Sequence, residues 1–259
     1  MPSQHEWIVL AAGFLAAVMN AVAGGGTMLT FPALMAAGLS PVMANTTSTV
    51  ALFIGMPGSV WAFRKHLAEM KPWILPLGIA SVLGGLGGGV LLLALDPKVF
   101  KAVVPWLLLM ATALFLLNAP IQRRLKRMRG EHAGESEPER PQPWGVAFQT
   151  GVAVYGGYFG AGIGIMMLAG LSLLGLKDLN RINALKSLLA LLCNIASVIW
   201  FISKDSVDWH LAGWLVLGSL PGYFLGAHFA QRIPATAVRV IVAVIGFGIA
   251  INLFWKQFQ

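Results

Sequence analysis

Residues 23–32 read Ala-Gly-Gly-Gly-Thr-Met-Leu-Thr-Phe-Pro, and residues 160–164 read Gly-Ala-Gly-Ile-Gly. Each glycine cluster splits an apolar stretch, separating 7–23 from 27–39 and 145–159 from 163–176. A helix rises about 1.5 Å per residue, so roughly 20 apolar residues are needed to cross a bilayer core. All four pieces fall short. A break leaves backbone N–H groups without intrahelical partners. Facing lipid, such groups are expensive, so the breaks must line protein or a wet cavity. The helix that begins after a break aims a partial positive charge and free N–H donors into that space. Short, glycine-interrupted segments at matching places in two halves of a chain point to a substrate site between the halves.

The remaining composition calls for the same solvent. Of 259 residues, 57% are hydrophobic and 11% charged, and the mean hydropathy is +0.75. A soluble domain carries about 25% charged residues. The apolar segments 42–63, 72–95, 99–119, 182–202, 209–230 and 235–255 each reach the crossing length. An all-α polytopic membrane protein is therefore expected. The net charge of +8 sits mostly in short loops, with Arg123, Arg124, Lys126, Arg127 and Arg129 crowding one connector. That pattern reads as the cytoplasmic excess that orients membrane proteins rather than as a nucleic-acid surface. The single cysteine, Cys193, lies in an apolar run, which excludes an intrachain disulfide. No basic stretch precedes the first apolar run, which continues into the glycine cluster, so it does not read as a cleavable signal.

The two halves resemble each other. Trp7 and Trp144 lead into the two glycine clusters, Gly38-Leu39-Ser40 parallels Gly175-Leu176-Lys177, and Asn45 parallels Asn183. Gly84 and Gly88 parallel Gly222 and Gly226, and Pro97 parallels Pro234. Two five-segment repeats are expected, 1–119 and 144–259. An odd number of segments places the second repeat upside down. With an external N-terminus, Arg64, Lys65, Lys71, the arginine cluster, Lys177, Arg181 and Arg232 fall inside and Lys98 and Lys204 outside, so the basic residues lie mainly inside, as the charge rule requires. The stretch 120–143 is expected to be a basic cytoplasmic linker, mobile and burying nothing. Trp7, Trp61, Trp73, Trp144, Trp200, Trp209 and Trp255 lie at segment ends, where an interfacial belt sits.

Polar groups inside the segments sharpen the site. Segment 42–63 opens with Asn45-Thr46-Thr47-Ser48-Thr49, and its counterpart carries Asn183-Ala184-Leu185-Lys186-Ser187. Hydroxyls in membrane helices often bond their own backbone, which accounts for Thr49 and Ser59. Lys186 is costly at its depth unless it faces a cavity or a partner. The nearest acid in sequence, Asp178, is two turns away, so an anionic substrate would complete the pairing. Lys186 could otherwise snorkel to the interface. No Asp or Glu lies in mid-segment, so a buried carboxylate relay is not expected. His228 is the best-placed histidine, near the internal rim. No zinc-ligand spacing, phosphate loop or nucleophile–base pair occurs. The clustered glycines at 84, 85 and 87–89 read as helix-packing residues.

The stretch 23–32, Gly38-Leu-Ser-Pro41 followed by Ala44-Asn-Thr-Thr-Ser48, and Val207-Asp-Trp209 resemble the TauE/SafE sulfite exporter family of membrane permeases. The likeness covers essentially the whole chain. It implies a bacterial inner-membrane transporter for sulfite, sulfonates or related organic anions. The second half departs from the usual family pattern, with Asn183-Ala-Leu-Lys186 where Gly-Thr-Ser is common. Pro32 has no clear partner after Gly164.

The expected substrate site comprises Gly24, Gly25, Gly26, Thr27, Asn45, Thr46, Thr47, Ser48, Gly160, Ala161, Gly162, Asn183, Lys186 and Ser187. Both glycine tips are expected to meet near mid-membrane, with one repeat rocking against the other. The expected partners are a small anion and the lipid bilayer, with no nucleic acid, no metal and no cofactor, and a homodimer is left open. An anion channel, or a non-transport scaffold or sensor, remains as an alternative. No enzyme activity is expected.

Overall fold

The computed structural model describes residues 3–22, 25–131 and 137–229, together with 244, 246–248, 250, 251, 254 and 255. Gly24, the His228 side chain and most of segment 235–255 lie outside the described residues. Every regular element among the described residues is helical.

Helix α1 (Gln4–Val22) leads into the first glycine cluster and α2 (Thr27–Ala36) leaves it. With 10 residues, α2 is about 15 Å long, half of a crossing. The chain doubles back here: a Cβ on Gly26 would lie 2.8 Å from the Ala16 carbonyl and 2.7 Å from the Asn20 amide. The second cluster joins α8 (Pro143–Tyr158) to α9 (Ile163–Leu173). Gly156 faces Ile163, Gly170 faces Phe148, and Gly145 faces Leu174. These contacts run antiparallel, so α8 and α9 form a helical hairpin whose tip is 159–162. The short pairs therefore take the hairpin form of the two forms the sequence allows.

Among the described residues, three stretches, Arg64–Ala94, Pro97–Asn118 and Leu179–Ser203, are long and apolar enough to cross a membrane. They contain α5 (Arg64–Leu67) with a 3₁₀ turn and α6 (Lys71–Ala94), most of α7 (Pro97–Glu131), and α10 (Leu179–Ser203). Helix α11 (Trp209–Phe229) follows. On α6, Leu75, Ile79, Leu83 and Leu86 form an exposed apolar stripe, the face that lipid rather than water accommodates.

Helix α6 packs along α8 and α11 packs along α1. Close approach rests on glycine. A Cβ on Gly84 would meet Ala153 Cβ at 2.6 Å and the Thr150 carbonyl at 2.8 Å, while one on Gly222 would meet Ala17 Cβ at 2.9 Å and the Phe14 carbonyl. Gly85 abuts the Cys193 carbonyl and Gly88 the Val154 carbonyl, whereas Gly87 faces open space. The packing reading of this cluster thus holds for Gly84, Gly85, Gly88 and Gly89, the last set against Phe201 and Ser197. Near the start of both helices, His210 Nε2 meets Glu6 Oε1 at 2.5 Å and ties α11 to α1.

Three expectations need correction. Segment 42–63 is not one helix: α3 (Pro41–Phe53) stops, and α4 (Met56–Ala62) restarts after Ile54-Gly55. Pro57 cannot continue an i→i−4 ladder and sits in the first turn of α4, where it is tolerated; Gly55 gives way to the Tyr223 ring. The linker is not structureless, since α7 runs on to Glu131 and Leu125 is buried in the core under the second hairpin. Beyond it, Glu137 docks on the start of α10, accepting from Arg181 Nη1 (2.6 Å) and from the main-chain N–H of Lys177 (2.7 Å). Lastly, Trp73 is 3% exposed and packs inside rather than in a belt; Trp7, Trp61, Trp144, Trp209 and Trp255 are exposed.

Candidate anion-binding site

The two hairpin tips converge on α7. A Cβ on Gly25 would touch the Phe115 ring at 3.3 Å, and one on Gly162 would reach Leu114 at 3.6 Å and Ala111 at 3.8 Å. Phe31 of α2 stacks edge-on against Phe159 of the second tip, centroids 5.6 Å apart. Helix α3 stands between the hairpins. Ser48 and Thr30 of α2 share a hydroxyl–hydroxyl bond of 2.5 Å. One turn earlier, Asn45 Nδ2 donates to the Tyr158 carbonyl at 3.0 Å, on the last residue before the second break.

The first tip is capped from its own helix. Gly25 is left-handed (φ 93°), and the N–H of Gly26 donates to Asn20 Oδ1 at 2.7 Å. Met28, Leu29 and Thr30 donate to the carbonyls of Gly25 and Gly26. Asn20 also donates to the Tyr223 hydroxyl at 3.3 Å. The expectation that Gly26 offers its N–H to a ligand is therefore corrected: a side chain of its own helix caps it.

The second tip differs. Gly160 and Gly162 are both left-handed (φ 79° and 80°), and Ala161 between them is fully buried. Left-handed glycines beside a helix start are the backbone conformation from which anion-binding nests are built. Among the described residues, no acceptor meets the N–H of Ala161, Gly162 or Gly164. The Ala161 carbonyl is held by the Tyr155 hydroxyl at 2.6 Å, which fixes the tip. Lys186 of α10 lies alongside: a Cβ on Gly164 would be 3.9 Å from Lys186 Cδ. Its ammonium donates to Asn183 Oδ1 at 3.2 Å, a neutral partner that leaves the charge uncompensated. Three main-chain donors, a helix N-terminus and a half-buried cation on one tip can bind oxyanions.

The other expected site residues divide. Thr46 donates to the Ser206 carbonyl and Thr47 accepts from the Asp208 N–H at 3.0 Å, so both hydroxyls pin α3 to the turn before α11 instead of facing a tip. Thr27 and Ser187 are half-buried and bring no side-chain hydrogen bond. Asn20 and Tyr155 were not expected, although Asn20 is a lone amide in an apolar run six residues before Gly26, a legible capping signal. A concavity of about 460 Å³ lies away from the tips, lined by Val90, Trp200, Lys204 and Ser206. Another of about 340 Å³ is an apolar groove around Gly78 and Leu192.

The family described as Sulfite exporter TauE/SafE matches residues 9–253. A probable membrane transporter protein of Haemophilus influenzae is 27% identical over 253 residues, 96% of this chain and 94% of the relative. The probable membrane transporter protein YfcA of Escherichia coli K12 is 29% identical over 231 residues, 88% and 78% of the two chains. A probable membrane transporter protein, ORF9, of a Sinorhizobium species is 25% identical over 243 residues, 93% and 89%. No solved structure matches the chain.

Proposed function

This chain belongs to the sulfite exporter TauE/SafE family, whose members are membrane transporters and not enzymes, and on that premise we propose that it carries a small sulfur-containing anion, sulfite or a sulfonate, across the bacterial inner membrane. The carrying observation is the second hairpin tip: three main-chain N–H groups without acceptors beside a cation paired only with an amide. An isolated charge at such depth is expensive, and a bound anion offsets that cost.

The proposed architecture is two inverted repeats of five segments, with the basic end of α7 in the cytoplasm. It is supported by the way equivalent elements exchange partners. Gly84 of the first half sits against Thr150 and Ala153, and Gly222 of the second sits against Phe14 and Ala17. Both pairs are fourth segment against first, across the halves. In the proposed mechanism the hairpin of each half moves with the long helix of the other. The tips would then open alternately to the two sides. Lys186 holds the anion's charge, the Ala161–Gly164 main chain orients its oxygens, and the closing tip excludes water.

The test is anion flux into proteoliposomes. Lys186→Ala is expected to lower sulfite or sulfonate flux at least about tenfold, the effect of losing about 1.4 kcal/mol of substrate stabilisation. Flux equal to that of the parent chain would remove Lys186 from the pathway.

A further inference from the structure

We infer that the anion taken by this tip carries a hydrogen-bond donor of its own, as a small hydroxylated sulfonate does, and that Asn45 is the residue that selects for it. The inference rests on reading the second tip as the anion site. Asn45 is 1% exposed. Its Nδ2 is committed to the Tyr158 carbonyl, so the amide orientation is fixed and Oδ1 is turned away from that bond. Oδ1 is sealed from solvent and has no hydrogen-bond partner among the described residues. A buried amide oxygen left unpaired costs about 1–3 kcal/mol.

Nothing nearby in the fold relieves it. Thr49 donates to the main-chain carbonyl of Asn45 (2.8 Å) rather than to its side chain. Ser48 is engaged with Thr30, and the Lys186 ammonium with Asn183. The tip thus offers two chemistries at once. The main-chain N–H groups and Lys186 donate, and are matched by anionic oxygens. Asn45 Oδ1 only accepts, and is matched by an O–H. A bare alkylsulfonate satisfies the first set and strands the second, whereas a hydroxylated one satisfies both. The Tyr158 carbonyl that Asn45 holds lies three positions before Ala161, which sets the acceptor on the same tip as the donors.

The pair 2-hydroxyethanesulfonate and ethanesulfonate tests this, since the two share charge and head group and differ in the hydroxyl. Binding is read from thermal unfolding of the purified full chain against ligand concentration, because a ligand of the folded state raises Tm. Parent chain is expected to bind the hydroxylated compound at least about tenfold more tightly, a modest instance of how a site built for a hydroxyl rejects its absence. Asn45→Leu should bring the two affinities together, while Lys186→Ala should weaken both and keep their ratio. Equal affinities in the parent chain overturn the inference while leaving the anion site standing. Equal affinities that both rise with sodium overturn it in favour of a cation on Asn45 Oδ1. A preference that survives Asn45→Leu also overturns it. Binding of neither compound overturns the inference and the anion-site reading together. The parent-chain ratio decides the matter even where the leucine variant does not fold.

Discussion

Single side chains set the difference between the two tips. Asn20 closes the first by accepting from the Gly26 N–H, and the equivalent role is unfilled at the second, where the N–H groups of Ala161, Gly162 and Gly164 stay open. The same contrast appears about two turns into α3 and α10, where Ser48, the counterpart of Lys186, shares a hydroxyl–hydroxyl bond with Thr30. Asn20→Ala removes the acceptor and leaves a buried N–H behind. It is expected to destabilise the protein by about 1–3 kcal/mol, measured as a lowered midpoint in detergent denaturation, while a change below about 0.5 kcal/mol would mean that water replaces the cap. The glycines were legible in the sequence because they interrupt short apolar runs, and Lys186 because a charge is expensive in a membrane. Asn45 was legible as a repeated amide. What it bonds was not, since Tyr158 lies 113 positions away, and no local pattern encodes that meeting.

Helix contacts make the glycines of α6 unequal, although in sequence they form one cluster. Gly88 has the Val154 carbonyl where a methyl would go, and Gly84 has Ala153 Cβ at 2.6 Å, while nothing lies within 4 Å of Gly87. Gly88→Ala and Gly84→Ala are each expected to cost about 1–3 kcal/mol by overpacking against α8. Gly87→Ala should stabilise by roughly 0.5–1 kcal/mol, because alanine loses less backbone entropy in a helix. Equal denaturation midpoints for the three variants would contradict the packing. Element boundaries followed from composition where glycine marked them, as at the breaks that end in Gly26 and Gly162, while α8 starts at Pro143, the last residue of the expected linker. They were missed where hydrophobicity outweighed a breaker: Gly55-Met56-Pro57-Gly58 is a turn signal inside an apolar run. The extension of α7 was missed for the opposite reason. Its basic residues resemble a linker, yet Ile121 and Leu125 sit one turn apart and pack into the second core.

On the scale of the molecule, α7 is the shared wall. Gly25 and Gly162 reach it within a turn of each other, at Phe115 and at Ala111 and Leu114. In the proposed mechanism such a wall would let one tip close as the other opens without a gap to lipid between them. The charge lies on one side of this arrangement, with Lys186 in the second half and a serine in the first, so the anion is expected to travel with the second tip. The general plan was readable from hydropathy, because lipid admits few solutions for a chain with 11% charged residues. The asymmetry of the tips was not readable, because it depends on which N–H finds an acceptor after folding. Cys193, the sole cysteine, is buried, so Ala161→Cys in a Cys193→Ala background puts a single thiol on the second tip. The most direct test is its rate of modification by a maleimide in membranes, with and without a saturating sulfonate. A substrate-lined, water-filled tip predicts labelling that the sulfonate slows at least about tenfold, as site occupancy by a competing ligand requires. A thiol that never reacts, or that reacts at one rate in both conditions, would contradict it.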